Sequence, residues 1–409
     1  MKAHTGLLST AAEIQDLAKA LQGHDHIAFD TEFIRESTFY PIVEILQIAT
    51  DEKSWLVDAR AFKKNFNHGP RGGYDKGIEP LLDILRDASI LKIVHAAQGD
   101  QECLYTSFEM VARPTLDTAV AASLLGYGEG VGLGKLLKSV IDIDIKKGHA
   151  RTNWSARPLP EQLIEYAHAD VIYLVELGKT LLEKLEKQNR RAWGLELSSK
   201  WEDPSNYDVA PEDIAQKLAK SGRIDKRGYS ALIELVRWRE DRVKAVNVPR
   251  RWIADDTVLM DLAHVRPKDM EHLAQFRGLN KGELKSSGEA ILAALKRASE
   301  SEDLVLPKTP KSPIPTAEEM QVLDLLKCYV GILADRHHLT DRHLIASAQY
   351  LPLIRTPAAT SDDLVRAGIL SSAAAALAGE ELIAMVRGKR ALSVDGSQIK
   401  IVEIAEAKK

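Results

Sequence analysis

Two cysteines in 409 residues are too few for a disulfide framework, and Cys103 and Cys328 fall in segments read below as separate domains, so a reducing, cytoplasmic setting is expected. No uncharged apolar run is long enough to span a bilayer. Glu13 and Asp16 interrupt the only stretch that could serve as the apolar part of an N-terminal signal. A charge excess of one sign is also missing: the formal net charge of −4 gives no global attraction to nucleic acid, so any such contact must come from local patches. Phosphate-cradling glycine motifs are absent too. The run Gly126 to Lys135 lacks G-x-G-x-x-G spacing, and Gly134-Lys135 has Glu129 and Leu136 where a P-loop needs glycine and Ser or Thr. No nucleotide cofactor is expected.

What the chain does have is acid in an apolar strand. In His26-Ile27-Ala28-Phe29-Asp30-Thr31-Glu32-Phe33, period-two alternation puts Ala28, Asp30 and Glu32 on one face and Ile27, Phe29, Thr31 and Phe33 on the other. Two neighbouring carboxylates repel, and burying them is costly unless a cation sits between them. Hard oxygen ligands select Mg²⁺ or Mn²⁺ over Zn²⁺. A solvated edge strand is the alternative reading of this pair alone.

Further acids extend the pattern. Ile90 to His95 reads as a short buried strand, and Asp100 follows at a strand-to-helix corner. After Pro158-Leu159-Pro160, a helix carries Leu163, Ile164, Ala167, Val171 and Leu174 on its apolar stripe. Tyr166 and Asp170, four apart, share one of its faces.

Asp-x-Glu on a strand, Asp after a second strand and Tyr-x-x-x-Asp on a helix resemble the DEDD exonucleases with a tyrosine in the third motif, and within them the ribonuclease D family. Thr31 to Pro41, continuing to Gln47, resembles the first motif; His95 to Leu104 the second; Arg151 to Leu159 with Tyr166 to Asp170 the third. The resemblance implies an α/β fold, a ribonuclease H-like mixed sheet flanked by helices, followed by two small all-α helical domains of the HRDC type. It implies that Asp30, Glu32, Asp100 and Asp170 hold two divalent ions, Mg²⁺ or Mn²⁺, about 4 Å apart on the scissile phosphate. Tyr166 would orient the attacking water. The implied activity is 3′→5′ exoribonuclease hydrolysis of RNA with a free 3′ end, tRNA precursors among the substrates, releasing nucleoside 5′-monophosphates. A DNA exonuclease of the same superfamily and a non-catalytic RNA-binding scaffold remain open.

His168, about 200° around the helix from Tyr166, reads as structural. Asp117 reads as an N-cap or a support for the metal ligands rather than a ligand. Trp154 and Arg157 are candidates for stacking a base and binding phosphate, against a reading of local packing.

Residues 1–200 are expected to form the exonuclease domain, with Ile27–Phe33, Val43–Ala49 and Trp55–Val57 as an antiparallel meander. Residues 210–300 read as a first HRDC domain, 301–316 as a Pro-rich linker and 317–409 as a second, diverged copy, in which Arg342 to Ala346 echo Arg250 to Ala254. Within the first copy, Arg237, Arg239, Arg242, Lys244, Arg250 and Arg251, interleaved with Trp238 and Trp252, form a candidate RNA-tracking stripe. A solvated helix face is the competing reading. A hairpin is expected around Asp395-Gly396.

Overall fold

A computed structural model describes residues 3–64, 73–145, 152–221, 224–276, 278–279, 281–300 and 314–404. Residues 65–72, Arg151 and nearly all of the Pro-rich linker lie outside the described residues. The chain forms two compact units: Met1–Thr115, Lys147–Val175 and Ser199–Pro310 make up the first, and Leu116–Lys146, Glu176–Ser198 and Lys311–Lys409 the second.

The first unit holds most of a mixed sheet. Strands β1 (Ala3–Leu8), β2 (His26–Ile34), β3 (Ile42–Ala49), β4 (Lys53–Asp58), β5 (Leu91–Val94) and β6 (Thr115–Asp117) run in the order β1-β4-β3-β2-β5-β6. The expected meander is present: β2 pairs antiparallel with β3, and β3 with β4. β5 joins β2 in parallel. Parallel entry of β5 requires a crossover, which α2 (Glu79–Arg86) provides with a face of Leu81, Leu82, Ile84 and Leu85. β1, parallel to β4, was not anticipated from the sequence. Its His4-Thr5-Gly6 stretch has no apolar alternation to mark it as a strand.

Register assigns the two faces. Phe29, Leu46, Ile48, Trp55 and Val57 pack in the core that includes Ile14, Leu17 and Leu21 of α1 (Ala11–Leu21) and Cys103, Leu104 and Phe108 of α3 (Gln98–Phe108). The opposite face holds Asp30 beside Gln47 and Leu56, and Glu32 beside Ile45. There Ile45 and Leu56 pack under Trp154, Leu159, Leu163 and Ala167. One layer of the sheet is therefore sealed by apolar burial, and the other carries the acids.

The first unit also contains a helical bundle. Beyond α4 (Thr118–Leu124), α5 (Leu133–Ile141), α6 (Glu161–Val171), α7 (Leu174–Lys187) and α8 (Arg191–Ser198), the chain forms α9 (Pro211–Ser221), α10 (Lys226–Val246), α11 (Arg250–Ile253), α12 (Asp256–Val265), α13 (Met270–Ala274) and α14 (Lys281–Glu300). Leu232, Leu235, Val236, Leu259, Leu262 and Ile291 form its core, which Phe39 of the β2–β3 connection also joins. Asp225 caps α10 through Gly228 N–H, and Asn247 closes it at φ 50°, the left-handed geometry asparagine tolerates better than most residues.

In the second unit, α15 (Ala317–Arg336) and α16 (Asp341–Leu344) lie with α4, α5 and α8, and the expected hairpin forms as β7 (Arg390–Asp395) and β8 (Gln398–Glu403). The Ser123 hydroxyl and His343 Nε2 are 2.8 Å apart, and the Trp193 ring meets the imidazole edge-on at 5.8 Å. Burial, with Arg342 adding to it, pushes the His343 pKa down to about 4. A histidine depressed below its unfolded value of about 6.5 contributes stability that is complete above pH ~6.5 and is lost as pH falls toward 4. Because His343 is only partly enclosed, about 1–2 kcal/mol is the expected loss after allowing for solvent screening. Chemical denaturation of wild type and His343→Gln at pH 7.5 and 4.5 should show the wild type losing more. Equal losses would remove the assignment.

Candidate active site

The acids come from three places in the sequence that the fold brings together. β5 pairs with β2 only along His26–Ala28, which leaves the later part of that β2 edge without a strand. Asp100, in the first turn of α3, fills the gap: its Oδ1 accepts from Thr31 N–H at 3.0 Å and from Thr31 Oγ1 at 2.6 Å. Ala96, at φ 60°, turns the chain between β5 and α3. The sequence places Thr31 on the other face, at the start of the first-motif segment, without a role of its own. Its hydroxyl is what holds Asp100 beside Asp30.

On the acidic face, α6 packs against β2, β3 and β4. Leu163 and Ala167 anchor it, while His168 turns away and its Nδ1 lies 2.8 Å from Ser54 Oγ, as a structural histidine should. This orientation presents Tyr166 and Asp170, which hydrogen-bond each other. The segment leading into α6 is pinned by Arg157, which donates to both Asp58 oxygens at 2.6 and 2.8 Å and to the Trp154 carbonyl at 2.8 Å. Trp154 is buried, its ring 6.1 Å from that of Tyr166. Neither residue is placed to meet a base or a phosphate, and packing is the reading their contacts support.

The electrostatics describe one acid cluster. Burial raises the Asp30 pKa well above the carboxylate range, and Asp100, Asp170 and Glu32 add repulsion. Glu32 is pushed up to about 8 by burial and then by Asp170 and Asp100. Burial lifts Asp100 and Asp170 to about 6 each, against hydrogen bonds from Thr31 and Tyr166 that favour the charged forms. Burial and the same carboxylates raise the Tyr166 hydroxyl, so it is a neutral donor at neutral pH. Among the described residues, no three of His, Cys, Asp or Glu are already closed around a metal position. The acids stand as hydrogen-bonded partners, Asp30 with Asp100 and Asp170 with Tyr166. Protons and cations compete for the same oxygens, and a cluster this reluctant to ionise gains most from a divalent cation. The donor set is all oxygen, which fits a hard ion.

Asp117 caps α4 by accepting from Ala119 N–H at 2.9 Å, one of the two roles its position allowed.

The stripe along α10 and α11 is largely spent within the protein. Arg239 is buried, paired with Asp256 at 2.6 Å and Glu240 at 3.3 Å, so it cannot track a phosphate; the apolar positions around it place it on the core side of the helix. Arg237 pairs with Glu212 at 2.5 Å, Arg242 with Glu283 at 3.0 Å, Lys244 with Asp208 at 3.0 Å and Arg250 with Glu240 at 2.6 Å. Arg251 and Trp252 are exposed side by side. The acid partners lie up to 41 residues from the cations they meet, which a local charge count cannot see.

A family model described as 3′-5′ exonuclease matches residues 7–186, and one described as HRDC domain matches 230–295. Ribonuclease D of Nitrobacter hamburgensis is 31% identical over 398 residues, 97% of this chain and 99% of that protein. Ribonuclease D of Granulibacter bethesdensis is 30% identical over 399 residues, 97% and 96% of the two chains. The chain belongs to the ribonuclease D family. Its fold is likewise similar to that of Escherichia coli RNase D, with a TM-score of 0.75 at 24% identity over 95% of this chain and 99% of that one. The RRP6 catalytic core of Trypanosoma brucei matches at a TM-score of 0.52 and 16% identity over 73% and 80% of the two chains. As a ribonuclease D family member, the protein is a 3′→5′ exoribonuclease, a divalent-metal-dependent hydrolase acting on RNA. Among the described residues, no helix is long and apolar enough to cross a membrane.

Contacts at Asn247 and Arg250 tie the HRDC region to the β2–β3 connection. Asn247 Oδ1 accepts from the backbone N–H of Phe39 and Tyr40 at 3.1 and 3.0 Å, and the Arg250 guanidinium lies 4.9 Å from the centroid of the Phe39 ring. Asn247→Ala leaves two backbone donors without their acceptor and puts a Cβ-bearing residue with no side-chain compensation at positive φ. A loss of about 2–3 kcal/mol is expected. Urea denaturation checks it; a change below about 0.5 kcal/mol would show that this contact does not anchor the connection.

Proposed function

We propose that Asp30, Glu32, Asp100 and Asp170 hold two divalent ions, Mg²⁺ or Mn²⁺, and that Tyr166 orients the water that attacks the terminal phosphodiester of RNA. The observation that carries this reading is the convergence of four buried or half-buried carboxylates from β2, α3 and α6, linked by the hydrogen bonds of Thr31 to Asp100 and Tyr166 to Asp170 and all held above their ordinary pKa by burial. The bound ions would supply Lewis-acid stabilisation of the phosphate and of the departing 3′ oxygen. The protein's part is to keep the carboxylates at fixed separation, shielded on one side by Leu163 and Ala167, and to donate a neutral phenol hydrogen bond from beside Asp170. The products are nucleoside 5′-monophosphates.

Structured RNAs, tRNA precursors among them, are the proposed substrates, in the cytoplasm. Escherichia coli RNase D is an exoribonuclease involved in structured RNA processing, and similarity over nearly the whole chain supports extending that to this protein. The segment 210–300 acts as a helical RNA-binding domain following the exonuclease domain 1–200, with 317–409 a second, diverged copy, and exposed Arg251 with Trp252 is the best-placed RNA contact on the first.

The test is a product ladder from 5′-labelled RNA and DNA of one sequence, with the 3′ hydroxyl free or blocked, and with Mg²⁺, Mn²⁺ or chelator. Stepwise shortening of free-ended RNA only with metal is expected. Equal or faster shortening of DNA would make the protein a DNA exonuclease, and no shortening of either polymer would make it a scaffold.

A further inference from the structure

Gln47 is fully buried on β3, and neither its side-chain oxygen nor its nitrogen has a hydrogen-bond partner among the described residues. Leaving an amide unpaired in the interior costs about 1–3 kcal/mol, so such a group needs a reason. Position supplies one. Gln47 is the cross-strand partner of Asp30, which puts the two on the same face of the sheet with Cβ atoms about 5 Å apart. Its other strand neighbour, Leu56, is apolar and packs under α6. The amide therefore stands at the floor of the acid cluster, between a carboxylate and a hydrophobic wall. Asp30 is turned to share a hydrogen bond with Asp100.

We propose that Gln47 is a positioning residue of the metal site: its Nε2–H donates to the Asp30 carboxylate when Asp30 is charged and ligating, and its Oε1 accepts from water around the bound ion. An amide has one donating end and one accepting end, so it can serve a carboxylate and a water at once. Partners of this kind, behind the direct ligands, commonly govern metal affinity by 10–100-fold. Gln47 was read from the sequence only as the end of the first motif, because a glutamine in an apolar strand does not reveal its face until the register is known.

This inference rests on the metal-site reading above, and the experiment separates the two. Gln47→Met and Gln47→Leu fill the space without the amide. Mn²⁺ binding is followed by the loss of the free-ion electron paramagnetic resonance signal, alongside melting temperature in chelator and steady-state kinetics on a short RNA. The expected result is Mn²⁺ affinity lowered about 10–100-fold and a melting temperature in chelator equal to or above wild type, since an unpaired buried amide has been removed. KM for RNA should hold, and kcat should recover at high Mn²⁺. Unchanged Mn²⁺ affinity with a lower melting temperature, or failure of both variants to fold in chelator, would make Gln47 a packing residue and overturn the inference. Asp30→Asn is the control. If it loses Mn²⁺ binding while the Gln47 variants keep it, only the Gln47 inference falls; if it binds Mn²⁺ like wild type, the metal-site reading falls with it.

Discussion

Asp30→Asn and Asp170→Asn are each expected to lower the rate of 3′-end hydrolysis at least ~10³-fold, equivalent to about 4 kcal/mol of transition-state stabilisation. Asparagine keeps the shape and one oxygen of each ligand but not its charge. Their stability should move the other way. Burial raises every pKa in the cluster and repulsion adds to it at Asp30 and Glu32, so neutralising one member relieves that cost, and both variants should melt at or above the wild-type temperature in chelator. In excess Mn²⁺ the order should reverse, because the wild type gains binding energy that the variants cannot. Activity within tenfold of wild type in either variant would refute the ligand assignment, and a large loss of stability in chelator would recast these acids as structural.

Tyr166→Phe is the second large effect, expected to reduce kcat about 10²-fold with RNA affinity and Mn²⁺ affinity retained. The phenol is neutral, half-buried and hydrogen-bonded to Asp170, and the Trp154 ring lies 6.1 Å away, so removing one oxygen leaves the ring packing intact. A hydroxyl that orients water contributes to the chemical step alone. A hydroxyl that merely satisfies Asp170 would, when removed, lower stability and leave kcat unchanged, and that pair of results would end the proposed role. Burial drives both the Tyr166 and the Asp170 shifts upward, so the phenol keeps its proton at neutral pH. The role proposed for the phenol is therefore a donor's, not a base's.

Much of this site was legible in the sequence because its spacings are local. Asp30 and Glu32 share a face by strand alternation, and Tyr166 and Asp170 by one helical turn, and both pairs fall where those periods put them. The antiparallel meander and the C-terminal hairpin were readable for the same reason. What the sequence hid depends on register and on distant partners. Thr31 lies between two acids yet serves a third, 69 residues on. Gln47 meets Asp30 only through the β2–β3 pairing. The α10 cations read as a free stripe until folding brings Glu212, Glu283, Asp208 and Asp256 against them, and buried Arg239 shows that a charge in a helix carries no label for the face it takes. Arg250 reads in the sequence only as part of the stripe, and Asn247 has no role there at all. Their contacts with Phe39 and Tyr40 supply one, joining the bundle to the connection that follows β2.

The most direct test is a crystal structure of the protein grown with Mn²⁺ and measured at the manganese absorption edge. Two anomalous peaks about 4 Å apart, within coordination distance of oxygens from Asp30, Glu32, Asp100 and Asp170, are the predicted result. Peaks elsewhere, or none at a manganese concentration that supports full activity, would contradict the claim that these four acids share a pair of ions.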